Sequence, residues 1–312
     1  KVSGRIVYLG FLGVDLFFVI SGFLIAGLLL EDISGPLRLK RFYVRRAFKI
    51  LPQYFTAVLA GIVLAVFVFK TKCSLGMGLS YLFMVQNYIN PPLTMVAHLW
   101  SIAVEEHFYI FLPLIFWVVW AMFKDQAGRK WALLVIFLLL IIAGNWLRSV
   151  GLAGASSWNP LDWQATHLRF DALVFGCLLR LIFPLFEEKL KQDKILPIIL
   201  FLISAGLFMC VFYYYHKLRW CDYTTVYMAC GLLVIAVVGG CWPLTRILET
   251  PVLRYVGKNS YGIYIWHYIL IFFFVNYYIA IKSLWVIAGY VAASLCAGII
   301  STVTIERFFL DV

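Results

Sequence analysis

Apolar runs of about twenty residues recur along this chain, and that is the length needed to cross the hydrocarbon core of a bilayer. Inside lipid the backbone has to satisfy its own N–H and C=O groups, so such runs form helices. Nine are read: 11–31, 51–69, 101–123, 131–150, 168–184, 195–215, 223–241, 260–280 and 283–305. The fifth is short and polar at its start. Residues 79–90 are too short and too polar for a further span; they read as an interfacial or half-inserted helix ended by Asn90-Pro91-Pro92. The expectation is an all-α, polytopic transmembrane helical bundle of about nine spans, a single membrane domain over 1–312. No loop is long enough for a separate soluble domain. Composition agrees, with 64% hydrophobic and 13% charged residues, whereas a soluble domain carries about 25% charged. The 11 Trp suit the aromatic belts at membrane interfaces.

The net charge of +11 follows the bilayer and implies no nucleic acid partner. Seventeen of the 26 Lys and Arg fall in 32–50, 124–130, 180–194, 243–258 and the C-terminal end. By the positive-inside rule that set is cytoplasmic, which places residues 1–10 outside and the C-terminus inside. Both termini inside would need one more span ahead of Lys1, ten in all. No cleavable signal peptide is read. The 7 Cys are scattered, without metal-ligand spacing, so they read as small core residues and no metal site is expected.

Against this background, ionisable residues at bilayer depth are functional candidates by default. Glu105 and Glu106 lie in the apolar segment from His98 to Pro113, beside His107. In a helix beginning near His98, the residues His98, Ser101, Glu105 and Tyr109 share one narrow face, while Glu106 lies about 100° away. A His and a Glu two turns apart on one stripe can move a proton to or from a hydroxyl. The alternative is a buried hydrogen-bond network bracing the bundle. The stretch from Arg38 to Pro52 is the most basic; it is either an anchor on anionic lipid or a phosphate site. Arg45 and Lys49 share a helical face beside Arg46, and guanidinium forks suit phosphate oxygens. Asp15 is read as a helix cap or the partner of a cation. Ser21-Gly22 is read as a small face for close helix contact. Arg169 and Asp171 read as a local ion pair, His267 as a core histidine among aromatics, and Glu306-Arg307 as a helix-end ion pair. No P-loop, GxSxG or HExxH motif is present, so nucleotide hydrolysis is unsupported.

Five segments together resemble a known family: Gly13-Val-Asp-Leu-Phe-Phe-Val-Ile-Ser-Gly-Phe-Leu24, Phe42-Tyr-Val-Arg-Arg-Ala-Phe-Lys-Ile-Leu-Pro52, Leu99-Trp-Ser-Ile-Ala-Val-Glu-Glu-His-Phe-Tyr109, Arg169-Phe-Asp-Ala-Leu-Val-Phe-Gly176 and Ser260-Tyr-Gly-Ile-Tyr-Ile-Trp-His267. In this order they resemble the acyltransferase 3 family of integral membrane acyltransferases, which O-acetylate bacterial surface polysaccharides and other substrates. The resemblance implies an acyl-CoA co-substrate, acetyl-CoA above all, with no bound cofactor. It implies an acceptor hydroxyl on an envelope glycan or lipid-linked sugar, membrane lipids as surroundings, and the bacterial inner membrane as location. It puts Arg45, Arg46 and Lys49 near the donor phosphates. The chain departs from the family pattern at Lys49, where Arg is usual, at His107, where Gln is usual, and at Phe308, where Pro commonly stands. The family's first helix carries an Arg and a His that nothing here matches, so the chain is expected to begin after that helix. The competing readings are a transporter or flippase of an envelope precursor and an inactive homologue. Oligomeric state is not legible where every helix face is apolar.

Overall fold

The computed structural model describes residues 2–31, 39–89, 92–153, 164–214, 221–281 and 283–310, and among these there is no strand. Among the described residues fourteen α-helices follow one another: α1 Val2–Glu31, α2 Leu39–Val63, α3 Leu75–Leu82, α4 Trp100–Met122, α5 Gln126–Ala153, α6 Phe170–Ile182, α7 Glu187–Gln192, α8 Leu196–Tyr214, α9 Cys221–Val238, α10 Trp242–Leu248, α11 Pro251–Lys258, α12 Ser260–Ile281, α13 Leu284–Ser301 and α14 Arg307–Leu310. A π-helical turn, Leu64–Val68, extends α2, and a second, Thr302–Glu306, joins α13 to α14. The 3₁₀ turn Thr94–Leu99 leads into α4. Asn90 and Pro91, and Arg38 of the basic stretch, lie outside the described residues.

Six helical segments among the described residues are long and apolar enough to cross a membrane: Leu12–Glu31, Leu39–Val68, Thr94–Met122, Gln126–Gly151, Leu196–Tyr213 and Leu284–Phe309. A seventh counts if α9 and α10 form one span, but they meet at a bend of 84°. That is fewer than the nine expected, and the reasons are local. The segment 168–184 forms α6, which has 13 residues and so rises only about 20 Å, well short of a hydrocarbon core about 30 Å thick. Phe183 and Pro184 divert the chain after it into a 3₁₀ turn. In the segment 223–241, Gly240 takes φ +89 and turns the chain between α9 and α10, a conformation open to Gly because it lacks Cβ. α12 has 22 residues, about 33 Å of helix, and its apolar stretch is described over Ser260–Val275. The segment 79–90 is the short α3 followed by the 3₁₀ turn Gln86–Tyr88.

The chain divides into two compact units. The first holds Lys1–Leu37 and Val104–Ile247; the second holds Arg38–Ala103 and Leu248–Val312. In the first, α1 lies along α6 at backbone distance. A Cβ on Gly22 would sit 1.9 Å from the Leu173 carbonyl oxygen, and one on Gly176 would sit 2.2 Å from that of Val19. Phe18, Val19, Phe23 and Ala26 of α1 are buried, and so are Leu173, Val174 and Cys177 of α6. The small face read at Ser21-Gly22 is therefore this crossing. Cys177 donates its thiol hydrogen to the Gly22 carbonyl. In the second unit α12 meets α13 in the same way, with a Gly262 Cβ position 2.4 Å from the Gly298 carbonyl oxygen.

Candidate active site

The ionisable residues singled out in the sequence fall into two clusters, one in each unit. In the second unit, the 3₁₀ turn before α4 presents His98. That turn is pinned by Gln86 Nε2, which donates to the Leu99 carbonyl at 2.9 Å, and by Tyr81, which donates to the Leu93 carbonyl. The His98 ring is buried and stacks on Tyr268, with centroids 4.8 Å apart. The His267 ring lies 5.2 Å away, edge on. His98 Nε2 faces the Ile265 carbonyl at 3.1 Å. A carbonyl only accepts, so Nε2 carries the hydrogen. Nδ1 then holds the lone pair, and it is buried without a hydrogen-bond partner. His267 Nδ1 faces the Tyr264 carbonyl at 2.6 Å, which leaves the Nε2 lone pair as its basic face. Ser101 and Tyr264 share a hydroxyl–hydroxyl contact of 2.5 Å, and Tyr264 donates to the His98 carbonyl at 2.9 Å. His267 was read as a core histidine, yet it is half-buried and paired with the one His that begins the acidic segment.

The basic stretch belongs to the same unit. It opens α2, where Arg45 and Lys49 are exposed and Arg46 is partly buried. One turn beyond Lys49, Gln53 is fully buried and donates to Glu306 at 2.8 Å, while Ser301 donates to the Gln53 side-chain oxygen at 3.1 Å. Glu306 is thus tied to α2, not paired with Arg307 as read from sequence, because the π-helical turn Thr302–Glu306 carries it inward. Tyr261, at the start of α12, donates to the Ile50 carbonyl at 2.9 Å. Farther along α2, Gly61 packs on Val96, two residues before His98, with no room for a Cβ. The helix pair α2 and α12 therefore carries the basic positions at one end and frames His98 along its length.

The first unit holds the acids. Glu105 is buried and accepts hydrogen bonds from the Ser21 and Tyr109 hydroxyls, the latter one turn along α4 as the stripe requires. Glu106 is half-buried one residue on. His107 Nδ1 contacts the Thr166 hydroxyl at 2.7 Å. The stripe read from sequence is thus shared: His98 and Ser101 belong to the second unit, Glu105 and Tyr109 to the first, each taking the partners just named from its own unit. Four further charges form two buried ion pairs. Asp15 accepts from Arg169 at 2.8 Å, and Asp171 accepts a two-pronged contact from Arg148. The expected local pair of Arg169 with Asp171 does not form. Two residues apart on a helix N-terminus point their side chains apart, and each finds a partner on another helix. Arg169 also lies over the Tyr223 ring at 4.2 Å. Asn145 and Thr224 complete the group around Arg148.

Arg148 was missed. It lay near the end of the apolar run 131–150 and was not singled out, but it is 1% exposed and sits inside α5. A lone Arg within apolar sequence was the available signal. Tyr268 and Gln53 carried none, and the hydrogen bonds of Ser21 and Tyr264 were not legible either, because they depend on which helices meet.

A family model described as an acyltransferase domain matches residues 2–303. A protein of Staphylococcus aureus strain COL with a provisional O-acetyltransferase name is 29% identical over 297 residues, 86% of this chain and 47% of its own. The O-acetyltransferase OatA of strain NCTC 8325 is 29% identical over 296 residues, with the same coverage. The chain spans about half the length of the curated relatives it matches. No solved structure matches it. With its five ordered segments, its apolar helices and a family match along nearly its whole length, the chain belongs to the acyltransferase 3 family.

Proposed function

We propose that this chain is a membrane O-acyltransferase domain that moves an acyl group, acetyl first among candidates, from acyl-CoA to a hydroxyl of an envelope polysaccharide or lipid-linked sugar. The observation that carries the reading is the His98 imidazole, whose hydrogen is fixed on Nε2 and whose buried Nδ1 lone pair is open. A neutral imidazole held in one tautomer is a general base. Nδ1 takes the proton of the acceptor hydroxyl as its oxygen attacks the thioester carbonyl. The carbon–sulfur bond breaks, and the proton passes to the departing thiolate, giving an ester and free coenzyme A. His267 is a second base beside the first.

Arg45, Arg46 and Lys49 take the donor phosphates in this reading. Gly61 stands twelve residues beyond Lys49, about 18 Å of helix, a length that an extended pantetheine arm can cross. Glu105 is assigned an acid/base role on the proton path and Glu106 a supporting one. Asp15, Arg148, Arg169 and Asp171 are assigned to bracing. The proposed setting is the bacterial inner membrane, with the basic end of α2 cytoplasmic. Incorporation of labelled acetyl from acetyl-CoA into glycan, in membranes with and without His98→Gln, tests the function. Incorporation that drops about 100-fold or more with His98→Gln at equal protein level supports the reading, since general-base assistance is worth that order. Glycan movement without acetylation favours a flippase, and unchanged incorporation removes His98.

A further inference from the structure

A groove of 760 Å³ opens between α4 and α5 in the first unit, and its wall is almost wholly apolar. It runs from Phe111 to Met122 on α4 and from Ile136 back to Gly128 on α5. The two helices touch through Phe116 and Phe137, whose ring centroids are 6.2 Å apart. Gly128 and Ala132, one turn apart on α5, keep the wall low and leave the trench open.

Its length, mouth and charge point to one kind of occupant. From Phe111 to Met122 is eleven residue steps, or about 16 Å of helix. Half of a hydrocarbon core about 30 Å thick is one leaflet, so the groove is as deep as a single acyl chain. The mouth lies at the turn 123–125 between α4 and α5, where the exposed Trp131 lines it and Trp120 lies against Arg129. Tryptophan at that position marks the headgroup level. That turn and the first turn of α5 bear Lys124, Arg129 and Lys130 against the single acid Asp125. Asp125 is occupied by the Gly128 backbone N–H at 2.6 Å. Arg129 is fixed there, its Nε donating to the Phe123 carbonyl at 2.8 Å and its guanidinium over Trp120 at 5.1 Å. Lys124 and Lys130 are exposed.

We infer that this groove is a binding site for an anionic glycerophospholipid: one acyl chain lies between α4 and α5, and the phosphate headgroup meets Lys124, Arg129 and Lys130. The site is separate from the residues assigned to acyl transfer, so it stands or falls independently of that function. Each cation near an anionic headgroup contributes roughly fivefold in affinity.

Native mass spectrometry of the whole chain in detergent, titrated with phosphatidylglycerol and with phosphatidylcholine of matched chains, tests the inference. Wild type is expected to prefer phosphatidylglycerol by at least roughly fivefold. Lys124→Gln with Arg129→Gln and Lys130→Gln should erase the preference while leaving chain binding, and Ala132→Trp should block both lipids by filling the groove. If Ala132→Trp does not fold, Ala132→Leu serves as the smaller plug. Equal binding of the two lipids by wild type would overturn the anionic site and leave a neutral crevice. Preference that survives both the charge and the plug variants would place the lipid elsewhere and overturn the groove.

Discussion

Glu105 draws its meaning from three atoms. Its carboxylate accepts from Ser21 and from Tyr109, so it is held as an acceptor within the first unit. If it lies on the proton path, Glu105→Gln keeps the size and loses the base; acyl transfer should fall roughly 100-fold or more with membrane abundance near normal. Wild-type turnover in that variant would confine Glu105 to bracing. The pair Arg148–Asp171 makes the complementary case. Both are 1% exposed, and leaving one charge of a buried pair alone costs about 3–5 kcal/mol. Arg148→Met should therefore lower thermal stability in detergent sharply, and so should Asp171→Leu. The double variant should recover most of the loss, because an apolar pair of similar volume is near neutral. A double variant no better than the worse single one would show that the pair contributes more than mutual neutralisation.

At the scale of elements, the crossing of α1 and α6 decides where the charges meet. Backbone contact at Gly22 and Gly176 lets Asp15 on α1 reach Arg169 just ahead of α6. A methyl group at Gly176 would sit 2.2 Å from a backbone oxygen, and backbone cannot swing aside as a side chain can. Gly176→Ala should then cost about 1–3 kcal/mol or more. Gly206→Ala on α8, where nothing lies within 4 Å, is the matched control and should be neutral or slightly stabilising. Comparing the unfolding temperatures of the two variants checks the packing claim directly.

At the scale of the whole molecule, the proposed reading has the cationic end of α2 take a polyanionic donor. Losing one charge-assisted contact of about 1.5–3 kcal/mol should raise the donor KM roughly 10- to 150-fold for Arg45→Ala or Arg46→Ala. Lys49→Arg should be tolerated or tighten binding, since it supplies a planar fork in place of a point charge. Lys40→Ala, on the same helix but outside the motif, should do little. A lipid anchor predicts another outcome: equal losses of membrane abundance across all these positions at unchanged donor KM. Measuring KM and abundance together separates the two.

What the sequence by itself determined is what depends on one segment at a time. Runs of apolar residues imposed helices, because lipid leaves the backbone no other partner. The period of the helix put Glu105 and Tyr109 on one face, and spacing marked His98, the basic stretch and the paired acids as the residues to watch. What only the tertiary structure decided is what depends on two segments meeting. Arg169 pairs with Asp15 and not with its neighbour Asp171, and Arg148, unmarked in its apolar run, is a buried ion-pair partner. His267 joins His98 across more than 160 residues of chain. Span number belongs here too, since the brevity of α6 and the 84° bend after α9 arise where Pro184 and Gly240 turn the chain. The reason is common to all of these. Apolar faces on every side leave helix pairing unmarked in the sequence, and a buried charge or imidazole takes its partner from whichever helix close packing brings to it.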